Sequence, residues 1–319
     1  LPGVVGSAIV GALGVMMLAL SLSGVIAHPR IFRDAFRLRA RNPGGIALAD
    51  WHNRLGVWTL PFAVAIALTG AVIGLAALTA QGIASRYYQG DIEAAYAPIF
   101  GEEGRPDKAP APLPDLAAAL QYMSKNYKDI SISYVIVHDP LTVGQEVQLI
   151  GKHPRRLIFG EYYAFDAKGR FLRTAGLADG ELGQQAAASI YNLHFGNYGG
   201  LPVKLRYVGL GLAVSAICAT GSYIWLGKRR RRGHDGPHLQ AAWDGVGWAT
   251  PLALALTFIV RFALGNDVPF GWIFWGTLVP LLGGTTLLAK RIDGRTSLQV
   301  LLVSSIIAAA ALSISQTVG

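Results

Sequence analysis

Residues 55–80, LGVWTLPFAVAIALTGAVIGLAALTA, contain no charged side chain. A helix needs about 20 mostly apolar residues to cross the hydrocarbon core of a bilayer, and Leu55–Ala80 meets that length. Val4–Ala27 repeats the pattern upstream. Val203–Leu226, Val246–Leu264, Gly271–Ala289 and Leu298–Ile314 repeat it downstream. A soluble fold would leave these runs as aggregating surface. The expected fold class is therefore a mainly α membrane protein. It is a polytopic bundle of about six transmembrane helices with one small α+β domain between the second and third.

The bulk composition agrees. Of the 319 residues, 52% are hydrophobic and only 15% are charged, against about 25% charged in soluble domains. The net charge of +9 sits in short clusters beside the apolar runs. Nucleic-acid binding would instead place a basic face on a soluble fold. The clusters are Arg30, Arg33, Arg37, Arg39 and Arg41; then Lys228 to Arg232; then Lys290, Arg291 and Arg295. With alternating crossings all three fall on one side, which the positive-inside rule makes cytoplasmic. The turn Gly265–Pro269 then lies outside, and so does the first residue. The chain starts at Leu1 with no basic stretch before the first run, unlike a signal peptide. An earlier crossing or a leader is expected upstream.

The expected segments are two transmembrane helices with a basic loop (1–80), an outer domain (81–200), a third helix with its basic tail (201–232), and three further helices (233–319). In the outer domain, Gly104–Pro114 reads as a loop. Asp115 is a good N-cap for a helix to about Asn126. Strand-like segments follow at Ile130–His138, Glu146–Ile150, Leu157–Phe165 and Phe171–Thr174, with a turn at Lys168-Gly169. A second helix, about Glu181–Asn192, leads to the third run.

Three of the seven histidines stand where an apolar run meets an interface. His28 ends the first run and His52 precedes the second, both on the cytoplasmic side. His194 precedes the third, on the outer side. The faces beside them are lined by small residues: Gly24, Ser21, Met17 and Gly14; Gly56, Thr59, Ala63, Ala67, Gly70 and Gly74; Gly209, Ala213, Ala216 and Thr220. Two readings compete. Small faces let helices approach closely, and Gly70 and Gly74 form a GxxxG pair. They also leave room for a flat cofactor beside an axial imidazole, the usual way to hold haem b in a bundle. Arg30, Arg33 and Arg54 fit propionate partners, and fit plain topogenic charge equally.

The remaining chemistry is sparse. His138 and His153 read as loop residues. His234 and His238 are spaced i, i+4, but in a glycine- and proline-containing loop. Arg261 reads as a snorkelling interfacial residue. The single cysteine, Cys218, excludes an internal disulfide, an iron–sulfur cluster held by this chain and a zinc finger. There is no nucleotide-binding glycine loop, GxSxG or HExxH. No carboxylate falls mid-membrane, which argues against an ion-coupled transporter.

The stretch Ser23-Gly24-Val25-Ile26-Ala27-His28-Pro29-Arg30-Ile31-Phe32-Arg33-Asp34, with Phe36-Arg37-Leu38-Arg39, resembles the PepSY-associated transmembrane family of bacterial inner-membrane proteins. So do Asp50-Trp51-His52-Asn53-Arg54-Leu55-Gly56, Leu60-Pro61-Phe62 and Leu68-Thr69-Gly70-Ala71. The likeness resumes at His194-Phe195-Gly196-Asn197-Tyr198-Gly199-Gly200 and at Ala219-Thr220-Gly221 with Trp225. It covers about 1–230 and is loose over the last three helices. The resemblance implies a PepSY-type outer domain in the periplasm. It also implies a haem b oxidoreductase that takes electrons from a quinol or cytoplasmic donor and delivers them to a periplasmic ferric siderophore. His28, His52 and His194 then become candidate axial ligands of the haem iron, with two haems in the intact protein. Three histidines cannot make two bis-histidine sites, so a further ligand is expected upstream. The alternative is an accessory or regulatory subunit of a larger membrane complex, with or without haem, whose outer domain binds a protein. The last three helices carry no histidine and read as helices that pack or bind partner subunits.

Overall fold

The computed structural model describes residues 3–28, 30–36, 46–101, 104, 107–154, 157–234, 236–289 and 293–318. Of the basic clusters, Arg37, Arg39, Arg41, Lys290 and Arg291 lie outside the described residues. The chain divides into two compact units. One comprises Leu1–Phe36 with Asn53–Val214, the other Arg37–His52 with Ser215–Gly319.

The first unit opens with helix α1, Gly3–Ala27, followed by the short turn of helix α2, Ile31–Asp34. Helix α3, Ile46–Tyr87, contains the whole 55–80 run. It tolerates Pro61 because neighbouring groups in a membrane bundle can satisfy the carbonyl that a proline frees. α1 and α3 meet backbone to backbone. A Cβ on Gly74 would stand 2.6 Å from the Gly11 Cα, and one on Gly14 would stand 3.0 Å from the Ala67 carbonyl oxygen. Only glycine allows that approach, and in lipid such close contact is a main source of helix association.

The water-exposed module follows. Helix α4, Ile92–Phe100, begins at Asp91, whose carboxylate accepts the Ala94 N–H at 3.0 Å. Sequence reasoning passed over this helix because it is short and contains Pro98. Helix α5, Leu116–Asn126, starts at Asp115 as expected, with the Ala118 N–H donating to its carboxylate. Four strands form an antiparallel meander in sequence order: β1, Ser131–His138; β2, Glu146–Lys152; β3, Glu161–Phe165; β4, Phe171–Thr174. Val147 pairs with Phe165 and Leu149 with Tyr163, so these four point to one face. There they bury Ala119 and Met123 of α5. Burying side chains of that size stabilises by about 1.5–3 kcal/mol each.

The expected third strand is shorter at its start. Glu161 explains the change. It is 1% exposed, and its carboxylate accepts N–H groups from Tyr162, Ala175 and Ala178. These bonds hold the loop after β4 against β3, and Leu157 to Gly160 pack outside the ladder. Helix α6, Leu182–Phe195, closes the module with a reciprocal capping box between Glu181 and Gln184.

Helix α7, Gly200–Arg231, passes into the second unit. That unit also holds α8 (Pro237–Leu264), α9 (Phe270–Leu287) and α10 (Gly294–Val318). α8 is the hub: Ala249, Leu252 and Ala253 bury against Leu278 of α9 and Leu298 and Leu302 of α10. Gly245 lets α9 approach, since a Cβ there would lie 2.7 Å from the Thr285 hydroxyl.

Among the described residues six helices are long and apolar enough to cross a membrane. Their outward surfaces are large and apolar, with Val5, Leu20, Leu205, Val300 and Ile307 all at least 60% exposed. Lipid is the solvent that makes such exposure stable.

Two histidine seats

His194 stands in the last turn of α6. Gly196 ends that helix in the left-handed conformation at φ 61°, and the Asn197 N–H returns to the Asn192 carbonyl at 3.0 Å. Orphan carbonyls at a helix end need partners, and α7 supplies them. Lys204 donates to the Phe195 carbonyl at 2.8 Å and to the Asn197 side chain at 2.5 Å. The Tyr207 hydroxyl donates to the Leu193 carbonyl at 2.5 Å and meets Tyr198 at 3.1 Å. The Tyr207 ring sits edge-on to Phe62 of α3, with centroids 5.1 Å apart, and covers Gly196. Phe195, Gly196, Asn197 and Tyr198 thus each have a local partner around the His194 imidazole on α3.

The receiving surface is Thr69-Gly70. The His194 Nδ1 lies 2.9 Å from the Thr69 Oγ1. A Cβ added to Gly70 would come within 2.9 Å of the imidazole Cε1, so only glycine admits the ring this closely. Thr69 is buried, and its hydroxyl donates to the Ala65 carbonyl at 2.6 Å. The small face of α3 is therefore divided. Gly74 serves helix approach, while Gly70 receives a histidine.

The second unit repeats the arrangement. The His52 Nδ1 lies 3.0 Å from the Thr220 Oγ1, and a Cβ on Gly221 would lie 3.1 Å from the His52 Cε1. The Thr220 hydroxyl donates to the Ala216 carbonyl at 2.7 Å. Both imidazoles are half-buried, and neither Nε2 has a side-chain partner among the described residues. Sequence reasoning named both histidines but missed Thr69 as a partner and placed Thr220 only on a small face. The available signal was the Thr-Gly pair in the middle of two apolar helices, where both residues are weak helix formers.

His28 differs. It ends α1 exposed, with no threonine seat among the described residues. Arg30 and Arg33 are exposed beside it. Arg54 donates from Nε to the Ala35 carbonyl at 3.0 Å and lies over Trp58 at 5.5 Å, which ties the turn after α2 to α3. Of the other histidines, the Nδ1 of His238 is 2.7 Å from the Thr286 carbonyl. Among the described residues no three His, Cys, Asp or Glu side chains gather to hold a bare metal ion.

The donor set fits an axial ligand of haem. A neutral imidazole whose Nδ1 is tied back to the protein leaves Nε2 as the coordinating atom, the common outer-shell arrangement for metal-bound histidine. Beside the His194 end of α6 lies an open cleft of about 690 Å³. Lys152, His153, Asn197, Tyr198 and Lys204 are on its walls, with Asp129 at one edge. Lysines facing neutral hydrogen-bond partners leave such a cleft attractive to anions.

Comparison with known proteins agrees with the motifs. The uncharacterized protein PA4219 of Pseudomonas aeruginosa is 29% identical over 241 residues, which cover 71% of this chain and 60% of that relative. The chain thus spans less than two thirds of the relative's length. No solved structure matches the chain. The family described as the PepSY-associated TM region matches residues 1–228, a range that takes in both histidine seats and the α+β module. The chain belongs to that family, as a multi-pass protein of the lipid bilayer.

Proposed function

We propose that the protein is a haem b-containing oxidoreductase of the bacterial inner membrane, moving electrons from a quinol or cytoplasmic donor to a ferric siderophore in the periplasm. The observation that carries this reading is the pair of matched seats. Each presents one imidazole with Nδ1 beside a threonine hydroxyl and, among the described residues, no side-chain partner at Nε2. Haem b, when bound, supplies one-electron transfer, so no acid–base residue is required of the chain.

The chain's own residues bind and orient. The clusters of Arg and Lys in the sequence support a cytoplasmic face for His28 and His52 and an outer face for His194. Residues 81–200 are then periplasmic. The 690 Å³ cleft beside the end of α6 has the size and charge to receive an anionic chelate near His194. Arg30 and Arg33 are exposed and are candidates for propionate contacts by position; the Nε of Arg54 donates to the Ala35 carbonyl. Among the described residues His28 has no such seat, and its ligand role rests on its position.

A dithionite-reduced difference spectrum of the purified protein tests the reading. A b-type α-band that weakens in His52→Ala and in His194→Ala is the expected result. A wild-type protein without that band sinks it.

One observation favours the second reading, an accessory subunit whose outer domain binds a protein. β1 is an edge strand, and Tyr134, Val135 and Ile136 on it are 69%, 44% and 38% exposed. An unpaired apolar edge is a template for strand addition. Stable co-purification through β1, together with retained haem and no ferric-chelate reduction, would favour this reading.

A further inference from the structure

We propose that Thr69 and Thr220 are positioning residues, each holding one histidine in the Nδ1–H tautomer so that Nε2 is the atom offered to the haem iron. The ligating part of this inference rests on the haem reading above; the tautomer part does not.

The argument is proton bookkeeping. A threonine hydroxyl has one proton and can accept through its lone pairs. The Thr69 hydroxyl gives its proton to the Ala65 carbonyl at 2.6 Å, and that of Thr220 goes to the Ala216 carbonyl at 2.7 Å. Each Oγ1 then meets its histidine as an acceptor, so Nδ1 must be the donor at 2.9 Å and 3.0 Å. With that acceptor facing Nδ1, the proton resides there and the lone pair is left on Nε2.

The glycine completes the device. Gly70 and Gly221 let the ring lie on the helix backbone, where it reaches the threonine hydroxyl. The seat thereby fixes ring orientation as well as tautomer. The histidines arrive from different places in the sequence, yet the two sites share the same dipeptide and the same bonds. His28 has no such seat among the described residues and is not covered by the inference.

The test uses the whole chain with 15N-labelled histidine, in detergent and without haem, together with Thr69→Val, Thr220→Val and the matching serine variants. The 15N shifts report which ring nitrogen carries the proton. Wild-type His52 and His194 should show protonated Nδ1. Thr69→Val should disturb only His194, Thr220→Val only His52, and serine should restore each. An Nε2–H tautomer in the wild type, or valine variants indistinguishable from it, overturns the lock. The same preparations loaded with haem should lose affinity about 10- to 100-fold at the matching site in the valine variants. Their low-spin resonance should shift at that site alone. Unchanged affinity and resonance overturn the positioning role. A wild type that takes up no haem overturns the functional reading and the ligating role together, while the haem-free shifts still decide the lock.

Discussion

The two histidine seats are nearly identical where the imidazole lands and very different in how it is delivered. His52 is carried within the long helix α3. His194 is the end of α6, a helix of the water-exposed module, and a glycine cap, Tyr207 and Lys204 hold it in place. The receiving Thr-Gly pair is the constant. What must be conserved physically is a hydroxyl and a bare backbone at the landing point, because they set ring plane and proton position. Delivery is free to vary, and where it is less direct it requires more bonds.

The largest effect expected from breaking this comparison is removal of either imidazole. His52→Ala and His194→Ala should each abolish one spectroscopically distinct haem, about half of the α-band absorbance, as seen in reduced-minus-oxidised spectra. Loss of both from either single variant would mean the seats are not independent.

Gly74→Ala and Gly70→Ala come next. The first puts a methyl 2.6 Å from the Gly11 Cα, where two backbones would have to part. A destabilisation of about 1–3 kcal/mol is expected, read as a lower Tm with an unchanged haem spectrum. The second meets only an imidazole edge at 2.9 Å, and alanine's higher helix propensity offsets part of the strain. Gly70→Ala should keep the Tm near wild type and lose haem at the His194 seat. If the two variants behave alike, the small face of α3 serves helix approach throughout.

Tyr207→Phe sharpens the difference in delivery. It deletes the hydrogen bond to the Leu193 carbonyl, worth about 0.5–1.5 kcal/mol. Haem titration should show weaker binding at the His194 seat and none of that effect at His52.

The smallest effect is expected away from both seats. Partial burial alone would raise the Asp166 carboxyl, but N–H donors of Arg170 and Lys168 outweigh it and hold the group below the usual carboxylate range. A carboxylate depressed on folding contributes stability above its unfolded pKa, and loses it as pH falls through the folded value. The Arg170 side chain is 75% exposed, so the contribution is small. Asp166→Asn should lower the melting temperature of the α+β module slightly at pH 7. The difference should shrink as pH falls through the folded carboxyl's titration, with both haem spectra untouched.

Much of this architecture was legible in the sequence because its signals are local. The uncharged run at 55–80 specifies a helix in lipid by length and hydropathy alone. Asp115 marks the start of α5 because a cap needs only its own first turn. Glu161 was not legible in the same way. Its three backbone partners lie beside it and beyond β4, and a strand pattern cannot announce a buried carboxylate.

The histidines divide along the same line. Placing His52 and His194 at helix ends required only counting. Knowing that each lands on a Thr-Gly pair required the fold, since 125 residues separate Thr69 from His194 and 168 separate His52 from Thr220. Sequence by itself therefore determined the membrane helices, the water-exposed module and the charged face, through length, hydropathy and capping. Only tertiary structure decided which glycine admits a helix, which admits an imidazole, and which histidines are held by Nδ1. Those outcomes depend on backbone approaches of about 3 Å between segments far apart in the chain, and no local pattern encodes them.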